Sequence, residues 1–161
     1  MGLLFLNLVS CISEDESKFV ATRKSEMNVP PFEKLADSLS RYRPFRLSPE
    51  RVLVLNFNSP KENQEVGEFV AERLTTELVK KSNSHVLDRG INAKVLQEKG
   101  YSLRGDVDIE TMKKISNILN LDFIITGIIY SGAGGYFVNA RLIDTKSGLI
   151  QKAEEVFLSV E

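Results

Sequence analysis

Hydrophobic residues in this chain recur with two different periods. Residues 51–57, RVLVLNF, form a compact apolar run with β-branched positions, which is typical of a buried strand. Residues 65–81, EVGEFVAERLTTELVKK, place their apolar residues at helical spacing and end on two lysines, which favour a helix C-terminus. The inward stripe predicted for this helix consists of Val66, Phe69, Val70, Leu74 and Leu78.

Three shorter segments also have helical patterns. FEKLADSLSRYR at 32–43 is amphipathic and precedes the first strand, and INAKVLQEKG at 91–100 ends on a glycine. In the third segment, Asp108 is a candidate N-cap for the helix DIETMKKISNILN. The residues predicted to face inward from that helix are Ile109, Met112, Ile115 and Leu119.

The last third of the chain predicts strands joined by short turns. A brief strand at 84–87 comes earlier, and strands at 122–130, 136–144 and 149–160 follow, separated by glycine-containing turns. The predicted order is α-β-α-β-α-α-β-β-β. Strand–helix alternation followed by a three-stranded meander defines an α/β class, with helices packed on a mixed sheet.

The N-terminal stretch MGLLFLNLVSC has two interpretations. In one, residues 3–9 form a strand or core segment and Cys11 is a buried small residue. In the other, the run is the apolar part of a secretory signal, and residues 8–11 resemble the bacterial lipobox with Cys11 as the lipidated residue. The run is too short to span a bilayer and suits a signal peptide, although no Lys or Arg precedes it.

The signal interpretation gives the chain three parts. Residues 1–11 are the lipoprotein signal segment ending in the lipobox cysteine, and residues 12–30 are polar and aperiodic, which indicates a flexible tether. Residues 31–161 form the α/β domain. Lipidation at Cys11 would attach this domain to a membrane through its N-terminus.

Composition narrows the classes of function. The net charge is −1, so no bulk charge attracts nucleic acid, and no nucleic-acid partner is expected. The chain has one cysteine and one histidine, so an intramolecular disulfide is excluded and neither a zinc site nor another metal or cofactor is predicted.

The sequence offers no set of residues for an active site. His85 lies in a predicted strand without a recognisable nucleophile motif such as G-x-S-x-G. Glu154 and Glu155 are adjacent on a strand, so their carboxylates point to opposite faces. We therefore predict that the protein is not an enzyme.

Polar residues interrupt the strand YFVNARLID. Asn139 and Arg141 share one face of it with Phe137 and Ile143, while the residues between them form a smoother apolar face. This pair is either a partner-contact site or simply the outward side of an antiparallel strand. Asp144 ends the strand and leads into the turn at Gly148.

Several of these segments, in this order, resemble a known family. VLVLNF, EVGEFVAERLTTEL, HVLDRG, LNLDFIITGIIY and FVNARLIDTKSGLI are similar to the FlgO family of flagellar outer-membrane lipoproteins, within a wider group that includes CsgG, the N-terminal domain of TolB and the LpoB activators. The strand that carries Asn139, Arg141 and Asp144 is the most specific part. The resemblance covers about residues 31–156.

The resemblance implies a function without catalysis. It implies a lipoprotein anchored in the outer membrane, facing the periplasm and supporting flagellar motility or assembly, with envelope or flagellar proteins as partners. The alternatives within the group are an LpoB-like regulator of peptidoglycan synthesis and a CsgG-like secretion component. The last strand leaves a sheet edge, which makes a homo-oligomer a further expectation.

Overall fold

The computed structural model describes residues 30–41, 49–60 and 64–159. The signal segment 1–11 with Cys11, and the tether 12–30 except its last residue, lie outside the described residues. The predictions made for them therefore stay predictions.

The helices and strands follow the predicted order, and the predicted α/β class is confirmed. The helices are α1 (Pro31–Ser40), α2 (Gln64–Lys81), α3 (Arg89–Glu98) and α4 (Ile109–Leu119). The strands are β1 (Arg51–Val54), β2 (His85–Val86), β3 (Phe123–Gly132), β4 (Gly135–Asp144) and β5 (Ile150–Ser159).

The strands form one mixed sheet in the order β2-β1-β3-β4-β5. β1 is parallel to both β2 and β3, whereas β3, β4 and β5 form the predicted antiparallel meander. The sheet therefore has a parallel half, where the helical crossovers attach, and an antiparallel half made of the three long strands.

Each face of the sheet carries its own hydrophobic cluster. On the first face, α1 and α2 pack through Leu35, Leu39, Val70 and Leu74 against apolar residues of β1, β3, β4 and β5. On the second face, α3 and α4 pack through Leu96, Met112, Ile115 and Leu119 against Leu53 and Ile124. Of the buried residues in the second cluster, those in strands belong to β1 and β3, so α3 and α4 leave most of β4 and β5 uncovered on that face.

Two residues predicted to face inward are exposed instead. Phe69 is 54% exposed because it lies on the outer side of α2, where its ring meets Phe32 of α1 at 6.0 Å. On the inner side of the same helix, Gly67 lies against the chain that follows β1, since a Cβ there would be 2.1 Å from the carbonyl oxygen of Phe57. Ile109, also predicted inward, is 53% exposed at the first position of α4, beside Gly148.

The predicted cap of α4 is confirmed. Asp108 has extended backbone geometry, and its carboxylate accepts a hydrogen bond from the Thr111 amide at 2.7 Å. This bond satisfies one of the free amides of the first turn and fixes where α4 begins.

Candidate protein-contact surface

The strand β4 alternates strictly between its two sides. Val138, Ala140 and Leu142 are buried against α1 and α2, whereas Asn139 and Arg141 are half-buried on the opposite side. The predicted separation of an apolar and a mixed face is therefore confirmed. We call the mixed side of the meander the open face, and it comprises Tyr130, Phe137, Asn139, Arg141, Glu155 and Phe157.

Three aromatic rings occupy the hairpin end of the open face. Tyr130, Phe137 and Phe157 are cross-strand neighbours and are 51%, 42% and 39% exposed. The two phenylalanine rings lie 4.9 Å apart, between centroids. Glycines make room for them, because a Cβ on Gly132 would be 2.8 Å from the Phe137 ring and one on Gly135 would be 2.8 Å from the Phe157 ring.

A polar centre follows the aromatic rings along the strands. The Nε of Arg141 donates a hydrogen bond to the Oδ1 of Asn139 at 3.2 Å, so the structure brings these two predicted residues together. Glu155 lies opposite Asn139 on β5. Among the ion pairs of the described residues, none involves Arg141. Its guanidinium is half-buried and lies four residues along β4 from Phe137, with Asn139 between them on the same face.

Asp144 is separate from this centre and orders the next turn. Its Oδ1 accepts hydrogen bonds from the Lys146 amide at 3.0 Å, the Ser147 amide at 2.8 Å and the Ser147 hydroxyl at 2.9 Å. Gly148 completes the turn with a φ of 74°. These contacts give Asp144 a structural role in the β4–β5 connection.

The sequence did not indicate the role of Arg89. It is the first residue of α3 and is 3% exposed. Its Nε donates to Glu72 Oε1 of α2 at 2.7 Å, and its terminal nitrogens donate to the Val54 carbonyl and to the Asn56 side chain. Arg89 therefore ties α2 and α3 to the carboxyl end of β1.

A polar cleft of about 360 Å³ lies above Arg89, and residues from α2, α3 and the chain after α3 line it. The guanidinium donates to protein acceptors through all three of its nitrogens, which favours a structural role over a ligand contact. The sequence gave little indication that Arg89 is buried, because an arginine at the start of a helix is ordinarily exposed.

The remaining sequence candidates lie apart from each other. His85 is exposed in β2, and no side chain in the described part of the chain forms a hydrogen bond with its imidazole. Glu154 faces α1 and pairs with Lys34 at 3.3 Å, while Glu155 is on the open face, as the alternation predicted. None of the helices that the structure describes is long and apolar enough to span a membrane.

The fold is shared with solved structures of other proteins. It is similar to the LpoB C-terminal domain from Escherichia coli, with a TM-score of 0.64 at 11% identity, covering 81% of this chain and 96% of that one. It is also similar to the lipoprotein GNA1162 from Neisseria meningitidis, with a TM-score of 0.54 at 19% identity over 70% of this chain and 81% of that one. At these identities the likeness establishes the fold alone.

A family model identifies the family. The model described as FlgO protein matches residues 33–161, so the chain belongs to the FlgO family, and the resemblance noted from the sequence is confirmed. No curated protein sequence matches the chain.

Proposed function

We propose that this FlgO-family protein is a non-enzymatic, lipid-anchored envelope protein that supports flagellar motility or assembly. It faces the periplasm from the outer membrane. Membership of the family over residues 33–161 supports this proposal. The lipobox-like residues 8–11 support the anchor, with Cys11 carrying the acyl chains.

The anchor and the tether fit this role physically. One acyl chain binds a membrane only marginally, whereas two or more hold a protein stably. A fully extended tether over residues 12–30 reaches at most about 65 Å, so the domain can meet a partner away from the membrane surface.

The observation that carries the proposed mode of action is the open face. A protein that works without catalysis acts through contacts, and an exposed apolar patch ringed by polar groups is typical of a contact surface. Tyrosine, arginine and other aromatic residues are enriched in the central part of protein interfaces. Tyr130, Phe137, Phe157 and Arg141 provide that composition on one rigid meander.

Deleting the gene tests the flagellar role. We expect the deletion strain to swim less far in soft agar and to carry fewer or shorter flagella by electron microscopy, and the wild-type gene to restore both. Unchanged swimming and unchanged flagella in the deletion strain would contradict the proposal.

The fold likeness favours a second candidate, an LpoB-like regulator of peptidoglycan synthesis. Under this alternative, the purified chain binds a penicillin-binding protein and changes its rate of glycan synthesis. Under the flagellar proposal, it does neither.

A further inference from the structure

The two edges of the sheet differ in length. β2 forms one edge with two residues, whereas β5 forms the other with ten. β4 is the strand that pairs with β5, and no other residue in the described part of the chain hydrogen-bonds to the β5 backbone. Every second residue of β5 therefore points its backbone N–H and C=O groups outward, where another strand can pair with them.

Charged side chains lie along the middle of this edge. Lys152, Ala153 and Glu155 are exposed. Lys152 forms no ion pair with any described residue, whereas Glu154 pairs through one carboxylate oxygen with Lys34 of α1 at 3.3 Å. Charges on an edge strand ordinarily oppose pairing, so the registers in which they match decide what this edge can bind.

A second copy of β5 matches these charges in one register. Two copies pair antiparallel about a two-fold axis, and each such register is centred on one residue that lies opposite itself. Centres at Lys152, Glu154 or Glu155 place like charges directly opposite each other, which destabilises a strand pair. A centre at Val156 places both glutamates opposite apolar residues. A centre at Ala153 instead places Lys152 opposite Glu154, and the symmetry forms this pair twice.

We propose that two copies of this chain pair through β5 in the register centred on Ala153, which joins their sheets into one. Lys152 of each copy then lies opposite the partner's Glu154. The two-fold axis is perpendicular to the sheet, so the two open faces lie on the same side and form one continuous surface. The contact is isologous and uses the long edge of both copies, so association ends at a dimer. This inference goes beyond the proposed function, because it concerns the sheet edge and not the partner of the open face.

This register permits a site-specific cysteine test on the full chain in a mild detergent, with Cys11→Ala so that the introduced cysteine is the only thiol. In Ala153→Cys the two thiols lie opposite each other, with Cα atoms about 4.5–5.5 Å apart, which is within disulfide range. The matched control is Glu155→Cys, which is exposed on the same strand. Its two thiols would be about 13 Å apart along the strands.

Under mild oxidation we expect Ala153→Cys to form a covalent dimer, with an initial rate about tenfold or more above that of Glu155→Cys. Adding Lys152→Glu to Ala153→Cys places like charges opposite each other at two positions and should lower this rate about fivefold or more. Lys99→Glu, an exposed change of the same charge at the end of α3, should leave the rate unchanged.

Equal cross-linking rates for Ala153→Cys and Glu155→Cys, or no covalent dimer of Ala153→Cys, overturn the proposed register. A rate that Lys152→Glu leaves unchanged also overturns it, since the pairing would not depend on these charges. Circular dichroism confirms that each variant is folded.

A second measurement leaves β5 unaltered and stands if a β5 variant misfolds. Analytical ultracentrifugation of the Cys11→Ala chain should show a reversible dimer and no larger species. A monomer at every concentration, or assemblies beyond two copies, overturns the proposal. The measured mass does not depend on motility, so a deletion strain that swims normally would contradict the proposed function and leave the dimer standing.

Discussion

At the scale of single residues, Arg89 shows what a linear pattern cannot reveal. The sequence pattern places Arg89 outside the helix predicted at 91–100, yet its guanidinium is buried against acceptors from β1 and α2. Those acceptors are 17 to 35 positions away in sequence. By contrast, Asn139 and Arg141 were recognised because two residues two positions apart on one strand must share a face.

We expect Arg89→Met to lower the free energy of unfolding by about 2–4 kcal/mol, because the Val54 carbonyl and the Asn56 side chain lose their donor. Urea unfolding measures the change. The matched control is Glu72→Gln, which keeps an acceptor oxygen for the Arg89 Nε at an exposed position and should therefore cost less than Arg89→Met. Equal costs for the two variants would contradict a buried structural role for Arg89.

Asp144→Ala should destabilise the domain by about 1–2 kcal/mol, because the β4–β5 turn loses three hydrogen bonds at the surface. Asp144→Asn, which keeps an acceptor oxygen, should cost less. Thermal unfolding gives both values. Cells that carry either folded variant should swim normally, and a swimming defect would instead give Asp144 a role in partner contact.

At the scale of elements, strands were easier to predict than helix faces. The period-two pattern of β4 assigned residues 137–143 to alternate sides, and the burial of those residues in the structure agrees. On α2 and α4, helical spacing alone placed Phe69 and Ile109 inward, and both are exposed. The rotation of each helix depends on close contacts, such as that of Gly67 with the Phe57 carbonyl, which the sequence pattern does not reveal.

The N-cap of α4 predicts a dependence of stability on pH. The hydrogen bond from the Thr111 amide holds the pKa of Asp108 below its ordinary value of 3.8. The unfolded chain therefore binds a proton at Asp108 more readily than the folded chain does. The ionised cap contributes its full share of the free energy of unfolding above about pH 4, and this share is lost as the pH falls through the lower pKa of the folded state.

Asp108→Asn isolates this contribution, because asparagine retains a capping oxygen but does not titrate. Urea unfolding of both proteins from about pH 5 to about pH 2 should show the wild type losing stability more steeply than Asp108→Asn. If the free energy of unfolding fell equally with pH in the two proteins, the cap would not be a source of the pH dependence.

At the scale of the whole molecule, the element order was sufficient to predict the fold class. Alternating strands and helices followed by three consecutive strands leave few arrangements other than a mixed sheet with a terminal meander. The part of the sheet that stays uncovered did not follow from the sequence, because it depends on where the helices pack. The structure shows that α3 and α4 lie over β1 and β3 and leave most of β4 and β5 uncovered on that face.

The anchor is the next prediction at this scale. Cys11→Ala should leave the domain folded and move the protein from the membrane fraction to the soluble periplasmic fraction, since no acyl chain would remain to hold it. Fractionation followed by immunoblotting measures the distribution. A Cys11→Ala protein that remains in the membrane fraction would contradict lipidation as the means of attachment.

The most direct measurement of the central claim is swimming in soft agar by the deletion strain carrying either the wild-type gene or Cys11→Ala at matched protein levels. The account predicts that the wild type restores the swimming zone and that Cys11→Ala does not, because the domain acts from the membrane. Equal restoration by both genes would contradict the anchored role, and a deletion strain that swims normally would contradict the flagellar role itself.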